Sequence, residues 1–412
     1  MQPIHALTPT IVQDPSLAEH GAARLRWTRA NMPLLADLAR VFRESRPLAG
    51  RRIGMCLHVE HKTAVLIEVL RAGGAEVVIT GSPATTDDAI AAFLAQDPGV
   101  RIYARRSDTL ADHYGHIDRI LASDPDMLLD NGADLIAGTI ARRGERIVAA
   151  TEETTTGGNR LREEMPGQVP FPVIVINDSP LKLLIENVYG VGPTVVEGFM
   201  RATNCLVASS VFAVIGYGSC GRGIARSLRA MGAGVIVVEM DTTRALEAAF
   251  DGMRVMPIGR ALAAATAVIT VTGRPGIVTE RHFPLLRDGV MLANAGHFGL
   301  EIDVPALAAA SSSVTQISPL IAEYLLPGDR RVRVLGRAEM LNLTAATGNQ
   351  IQVMDLGFAL QAHSLRALSL NPAGYPNGPQ PVPASINDRI GLDMLQTLAL
   401  VEFDRESDYK LA

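Results

Sequence analysis

Apolar residues recur at helical spacing through residues 16–46 (Leu25, Trp27, Met32, Leu35, Leu38, Val41, Phe42), which predicts helices there. After Gly50 the pattern changes. Arg52–His58 reads as a strand ending in a polar residue, Thr63–Ala72 as a helix and Glu76–Thr80 as a second strand. Met127–Asn131 and Val173–Asn177 repeat the motif of an apolar strand closed by polar groups. Strands alternating with helices predict a mainly parallel sheet covered on both faces. Ligands bind beyond the carboxyl ends of such strands, where His58, Asn131 and Asn177 all fall.

A second α/β unit begins near Ser209. Val211–Ile215 reads as a buried strand, Ile224–Met231 as a helix, and Gly234–Glu239, Ala267–Thr272 and Gly289–Asn294 as further strands. From about Leu343 the pattern is helical again, through Gln352–Leu368; a Pro/Gly/Asn-rich stretch, Asn371–Pro383, then leads into a last helix. The fold class expected is α/β, with two doubly wound parallel-sheet domains.

At 412 residues the chain exceeds one ordinary core, so two domains are expected. A content of 48% hydrophobic and 20% charged residues, with net charge −5, reads as a soluble globular protein without a basic field for nucleic acid. No apolar run reaches the ~18–20 residues of a membrane span, and Met1–His5 lacks the features of a signal peptide. Cys56, Cys205 and Cys220 are odd in number and show no metal-ligand spacing, so buried free thiols in a cytoplasmic protein are expected.

Gly216-Tyr217-Gly218-Ser219-Cys220-Gly221 follows an apolar strand and opens a helix. That context makes it a dinucleotide turn: the glycines let a pyrophosphate approach free helix N–H groups. Glu239, about twenty residues on, would accept bonds from the adenosine ribose and repel a 2′-phosphate, which favours NAD over NADP; Arg244 nearby weakens that preference. The second chemical signal is Asn177-Asp178-Ser179-Pro180-Leu181-Lys182. Lys182 is one of three lysines (with Lys62 and Lys410) in a chain whose basic residues are otherwise arginine. Lysine can be tuned to move a proton and arginine cannot.

With these motifs in hand, the chain resembles the S-adenosylhomocysteine hydrolases (adenosylhomocysteinases) over nearly its whole length. The resemblance is carried by Trp27–Pro33, Leu57-His58, Leu129–Leu135, Glu152-Glu153-Thr154-Thr155-Thr156-Gly157, Phe171–Lys182, Asn187–Gly190, Gly216–Gly221, Gly296-His297-Phe298 and Asn342-Leu343. It implies a substrate domain (1–190), an inserted NAD domain (191–342), a return to the substrate domain (343–385), a C-terminal helix and tail (386–412), and a homotetramer with tightly held NAD. It also implies oxidation of a nucleoside 3′-hydroxyl, loss of the C4′ proton, expulsion of the 5′ substituent, addition of water and re-reduction. By motif, Lys182 is the 3′-hydroxyl base with Asn177 holding it, Glu153 and Glu186 bind ribose hydroxyls, and His58 exchanges protons at C5′. Thr154, Thr155, Thr156, Gly216, Gly218, Ser219, Cys220, Gly221, Glu239, Arg244, Gly296, His297 and Asn342 contact NAD, with Asn187 at the nicotinamide end. His61, His113 and His116 match no motif and read as surface residues.

Departures from the family pattern fall on the site. An aspartate of L-D-D-G-G-D-L is Asn131, which cannot take a proton. The aspartate four residues after the lysine is Glu186. The adenine-reading stretch becomes Val59-Glu60-His61-Lys62, which places Glu60 and Lys62 against the base. G-H-P, which supplies a gating histidine, reads Gly348-Asn349-Gln350, and the C-terminal Tyr409-Lys410 has no clear match. With the NAD side retained and the substrate side altered, a nucleoside dehydratase giving a 4′,5′-type alkene is the leading expectation, as in antibiotic pathways such as that of angustmycin A. Ordinary S-adenosylhomocysteine hydrolysis is the alternative, and a non-catalytic NAD-binding regulator the third.

Overall fold

A computed structural model describes residues 9–83, 85–142, 146–296 and 299–398. The chain divides into two units, one numbered within 1–182 and 351–412, the other 183–350. The first break lies at the start of a π-helical segment, Lys182–Val191, and the second just before the long helix Ile351–Leu370.

The first unit is built on a parallel sheet. Its strands, in spatial order among the described residues, are Gly378–Pro381, Pro172–Val175, Ala149–Glu152, Met127–Asp130, Arg52–Cys56, Glu76–Thr80 and Val100–Tyr103. The inner strands are buried along their whole length, the pattern of a sheet covered on both faces. The first strand in sequence, Arg52–Cys56, lies between Met127–Asp130 and Glu76–Thr80. Strand order therefore reverses between Arg52–Cys56 and Met127–Asp130, and a crevice opens at the carboxyl edge of such a reversal. His58 follows one of these strands and Asn131 the other.

The second unit has its own sheet, ordered Ser313–Ser318, Ile321–Leu326, Arg330–Leu335, Val290–Asn294, Ala267–Thr270, Val211–Ile215, Gly234–Val238, Arg254–Val255. Its order reverses between Val211–Ile215 and Ala267–Thr270, and the Gly216 turn leaves from that point. Ile321–Leu326 runs against both neighbours, a meander the apolar pattern did not predict, because Ser313–Ser318 is a largely exposed edge strand without an apolar run.

Several expectations need correction. Trp27, one of the apolar positions behind the predicted first helices, is 68% exposed on the helix Ala18–Ala30. Cys56 is buried, but Cys205 is exposed and Cys220 half-buried. His61, His113 and His116 are buried, not at the surface. His61 and His113 have hydrogen-bond partners that make burial tolerable. His61 Nδ1 lies 2.8 Å from Thr28 Oγ1, His113 lies between Gly81 O (3.0 Å) and Asp134 Oδ2 (3.3 Å), and His116 stands 3.2 Å from Asp108 Oδ2. Among the described residues, no helix is long and apolar enough to cross a membrane.

Candidate functional site

In the first unit, parallel registration puts the ends of four adjacent strands on one edge, and the polar groups after them are His58, Asn131, Glu153 and Asn177. Two buried carboxylates shape the loops between them. Asp130 accepts the N–H groups of Asn131 (2.9 Å) and Ile136 (2.8 Å). Glu152 accepts those of Gly132 (3.0 Å), Ala133 (3.0 Å) and Thr154 (2.8 Å), and the Thr154 hydroxyl (2.7 Å). Burial pushes both carboxyls up in pKa; the neighbouring Glu152 charge adds to the effect at Asp130, whereas the backbone donors oppose it at Glu152. The turn they hold carries Gly132 and Ala133 at φ +97° and +64°, and it fixes Asn131, whose buried Oδ1 has no hydrogen-bond partner. The last residue of Glu152–Gly157 must be glycine, because a Cβ at 157 would sit 2.2 Å from the Glu152 carboxyl carbon.

Glu153 and Lys182 form a buried ion pair through Glu153 Oε1 and Lys182 Nζ. The second oxygen, Oε2, receives Nε2 of Gln361 from the helix Ile351–Leu370. The apolar pattern of that helix masked Gln361; a lone buried-side amide among Phe358, Leu360 and Leu365 was its only signal. Asn177 donates to Thr155 Oγ1, so the E-E-T-T-T-G and N-D-S-x-x-K segments meet directly. Ser179 ties the second segment to Asn387 (2.7 Å) and receives the Lys182 N–H (3.3 Å).

His58 Nδ1 lies 3.0 Å from Thr85 Oγ1, and that hydroxyl donates to Ser82 O at 2.7 Å. A hydroxyl has one proton, so Thr85 accepts from His58 Nδ1–H, and Nε2 is left as the basic nitrogen. Burial lowers the His58 pKa to about 4; Glu60 opposes the shift and Lys62 adds to it. The imidazole is therefore neutral at pH 7. Glu60 Oε2 stands 3.4 Å from both Lys62 Nζ and His61 Nε2, so Glu60, His61 and Lys62 form one cluster.

In the second unit Gly216 (φ +105°) turns beneath Val271 O, and a Cβ on Gly221 would fall 2.1 Å from Gly216 O. These two glycines serve the turn itself. Gly218 differs: a Cβ there would meet nothing nearer than Arg244 Nη1 at 4.0 Å. The helix Ser219–Ala230 starts without a side-chain cap, and the N-terminus of a helix favours an anion. Glu239 is held by the N–H groups of Tyr217 (2.7 Å), Met240 (2.7 Å) and Asp241 (2.9 Å), an acceptor fixed just past the strand end. Space before Gly218, uncapped N–H groups and this carboxylate fit a dinucleotide. Glu301, which no motif predicted, binds the Thr272 and Gly273 N–H groups (3.0 and 2.7 Å) and packs where a Gly296 side chain would stand. Asn187 and Asn342 are buried, and Asn349 Nδ2 donates to Glu186 Oε1 at 3.3 Å. Thr156 lies in the first turn of the helix Thr155–Glu163. His297 and the C-terminal Tyr409-Lys410 lie outside the described residues.

Two linked α/β units, one with a dinucleotide turn and one with a lysine–carboxylate pair at strand ends, define an NAD-dependent enzyme. Residues 9–151 match the S-adenosyl-L-homocysteine hydrolase family and 187–348 its NAD-binding domain. The chain is 44% identical over 395 residues to S-inosyl-L-homocysteine hydrolase of Methanopyrus kandleri, covering 94% of this chain and 93% of that protein. It is 43% identical over 356 residues to adenosylhomocysteinase of Archaeoglobus fulgidus (85% and 87%), and 40% identical over 389 residues to S-inosyl-L-homocysteine hydrolase of Methanosarcina acetivorans (93% and 94%). The protein belongs to the S-adenosylhomocysteine hydrolase family, and its cofactor is NAD.

Proposed function

We propose that the protein hydrolyses the thioether of an S-purine-nucleosyl-homocysteine, reversibly, to the nucleoside and homocysteine. NAD bound at the Gly216 turn would supply reversible hydride acceptance from the ribose, with no net redox change. Lys182, as the free amine, takes the 3′-hydroxyl proton, and Glu153, an acceptor-only carboxylate, orients the ribose hydroxyls. Asn177, anchored through Thr155, keeps the lysine segment in place. His58 Nε2 serves the C5′ end.

The charge state of His58 carries this reading over dehydration. Its pKa of about 4 leaves it neutral, and its counterpart across the strand reversal is the amide of Asn131. Neither brings a ready proton to a leaving group at neutral pH. A thiolate, whose acid has a pKa of ~8.5, departs without one far more easily than hydroxide, whose acid has a pKa of ~15.7. Dehydration remains the second reading, favoured by Asn131: without a carboxyl there, addition of water to the alkene loses an acid/base group.

The test is to incubate the NAD-loaded protein with S-adenosyl- and S-inosylhomocysteine separately, titrating released thiol and weighing the nucleoside by mass spectrometry. Both bases are needed because the relatives' names divide between them and Glu60-His61-Lys62 is charged. Homocysteine release with unchanged NAD content is the expected result. Loss of water from a free nucleoside without homocysteine release would replace hydrolysis by dehydration. Bound NAD with no turnover of any of these would leave only the regulator. A homotetramer, read by light scattering, belongs to the same proposal.

A further inference from the structure

Gln361 is fully buried in the middle of the helix Ile351–Leu370, with Phe358, Leu360, Ala362 and Leu365 around it in sequence and equally buried. Burying an amide in such surroundings is unfavourable unless it is hydrogen-bonded. Its Nε2 donates to Glu153 Oε2, while its own Oε1 has no partner. The amide orientation is unambiguous, since a carbonyl turned towards the carboxylate would set two acceptors against each other. Each oxygen of Glu153 thus has one donor, Lys182 on Oε1 and Gln361 on Oε2, and the plane of the carboxylate is fixed. The helix beneath Gln361 is itself pinned, because Asp355 accepts the N–H groups of Leu34 and Leu35, both at 2.9 Å.

We propose that Gln361 is a positioning residue: by holding Oε2 it keeps Glu153 from turning both oxygens onto Lys182, so that the carboxylate presents a constant edge to the ribose hydroxyls and one of its oxygens to Lys182. The proposal rests on the roles given above to Glu153 and Lys182. Gln361 touches neither substrate nor cofactor and acts through Glu153 alone.

Two variants test it in the NAD-loaded, full-length protein. Gln361→Leu keeps the bulk and removes the donor. Gln361→Glu keeps the shape and can donate only while protonated, which a facing carboxylate favours by raising the pKa of the pair. Hydrogen bonds to charged groups account for roughly 10- to 100-fold in an equilibrium. Gln361→Leu should therefore lose about that much in kcat/KM, and its preference for ribose over 2′-deoxyribose substrates should shrink by at least ~10-fold, with bound NAD unchanged. The deficit of Gln361→Glu relative to the unaltered protein should narrow steadily as pH falls from about 9 to about 6. A merely structural role would leave the ribose preference intact and the activity ratio flat with pH; either result overturns the proposal. A crystal structure of the Gln361→Leu protein decides the point without turnover, so failure of the proposed reaction remains distinguishable. Glu153 should rotate so that both oxygens face Lys182, and an unmoved carboxylate would refute the role.

Discussion

Replacing Asp355 by asparagine should stabilise the protein at and above neutral pH and not in acid. Asp355 is buried, and its carboxyl accepts the Leu34 and Leu35 N–H groups at the start of the helix Pro33–Ser45. Burial nevertheless raises its pKa from 3.8 to about 7; the two backbone bonds resist that shift and the Asp37 charge adds to it. The folded state therefore holds this proton more tightly than the unfolded chain. Stability is lost as pH rises from the unfolded pKa towards the folded one, and the loss levels off above it. A gap of about three pKa units at ~1.36 kcal/mol each sets an upper bound of about 4 kcal/mol for the cost of the ionised group. Between about pH 5 and pH 8 the linkage relation assigns roughly 2–3 kcal/mol of that change. Asparagine has no proton to lose, but it offers one acceptor where the carboxylate offers two, a loss of about 1 kcal/mol. The variant should thus be slightly less stable near pH 5 and more stable near pH 8. Differential scanning calorimetry at both pH values should show the two Tm values crossing, with a relative swing on the order of 5 °C. Parallel Tm–pH curves would show that Asp355 does not titrate in this range and that its two backbone bonds outweigh its burial.

Gly218→Val should give a folded protein that carries no NAD: a Cβ at 218 meets no protein atom closer than 4.0 Å, so only the pyrophosphate is obstructed. Gly221→Ala, whose Cβ would meet Gly216 O at 2.1 Å, should instead lower Tm; comparing calorimetry with cofactor content separates the two, and full NAD in the Gly218 variant would remove the pyrophosphate from that turn. Lys182→Arg keeps the ion pair to Glu153 but cannot accept a proton, so formation of bound NADH from nucleoside, followed by absorbance, should slow by at least ~10²-fold. A near-normal rate would remove Lys182 as the base.

What was legible in the sequence is what short-range pattern encodes. Buried strands read as apolar runs, their polar closing residues marked the carboxyl edge of the sheet, and the Gly216–Gly221 turn stood out because three glycines must bend, approach and pack within six positions. What was not legible depends on partners far away in the chain. His61 and His113 read as surface residues because histidine is polar, yet each meets a hydroxyl or carbonyl, 33 and 32 positions away in the chain. Gln361 and Asp355 carried no signal of their own in the helical pattern, because Glu153 lies 208 positions from the first and Leu34 321 from the second.

The same distinction explains why Asn131 invited dehydration as the reading of the sequence. A missing carboxyl is visible in one letter, whereas the state of the remaining titratable group is set by its surroundings. Thr85 spends its single proton on Ser82 O, fixing His58 with the proton on Nδ1, and burial keeps the ring neutral. On the proposed assignment of roles, an amide and a neutral imidazole at the C5′ end supply no strong acid, while Lys182 and Glu153 place their charge at the ribose 3′ end. Charge at the end where a proton is removed, and little acidity where the substituent departs, suit a leaving group stable as its own anion; homocysteine thiolate meets that requirement and hydroxide does not.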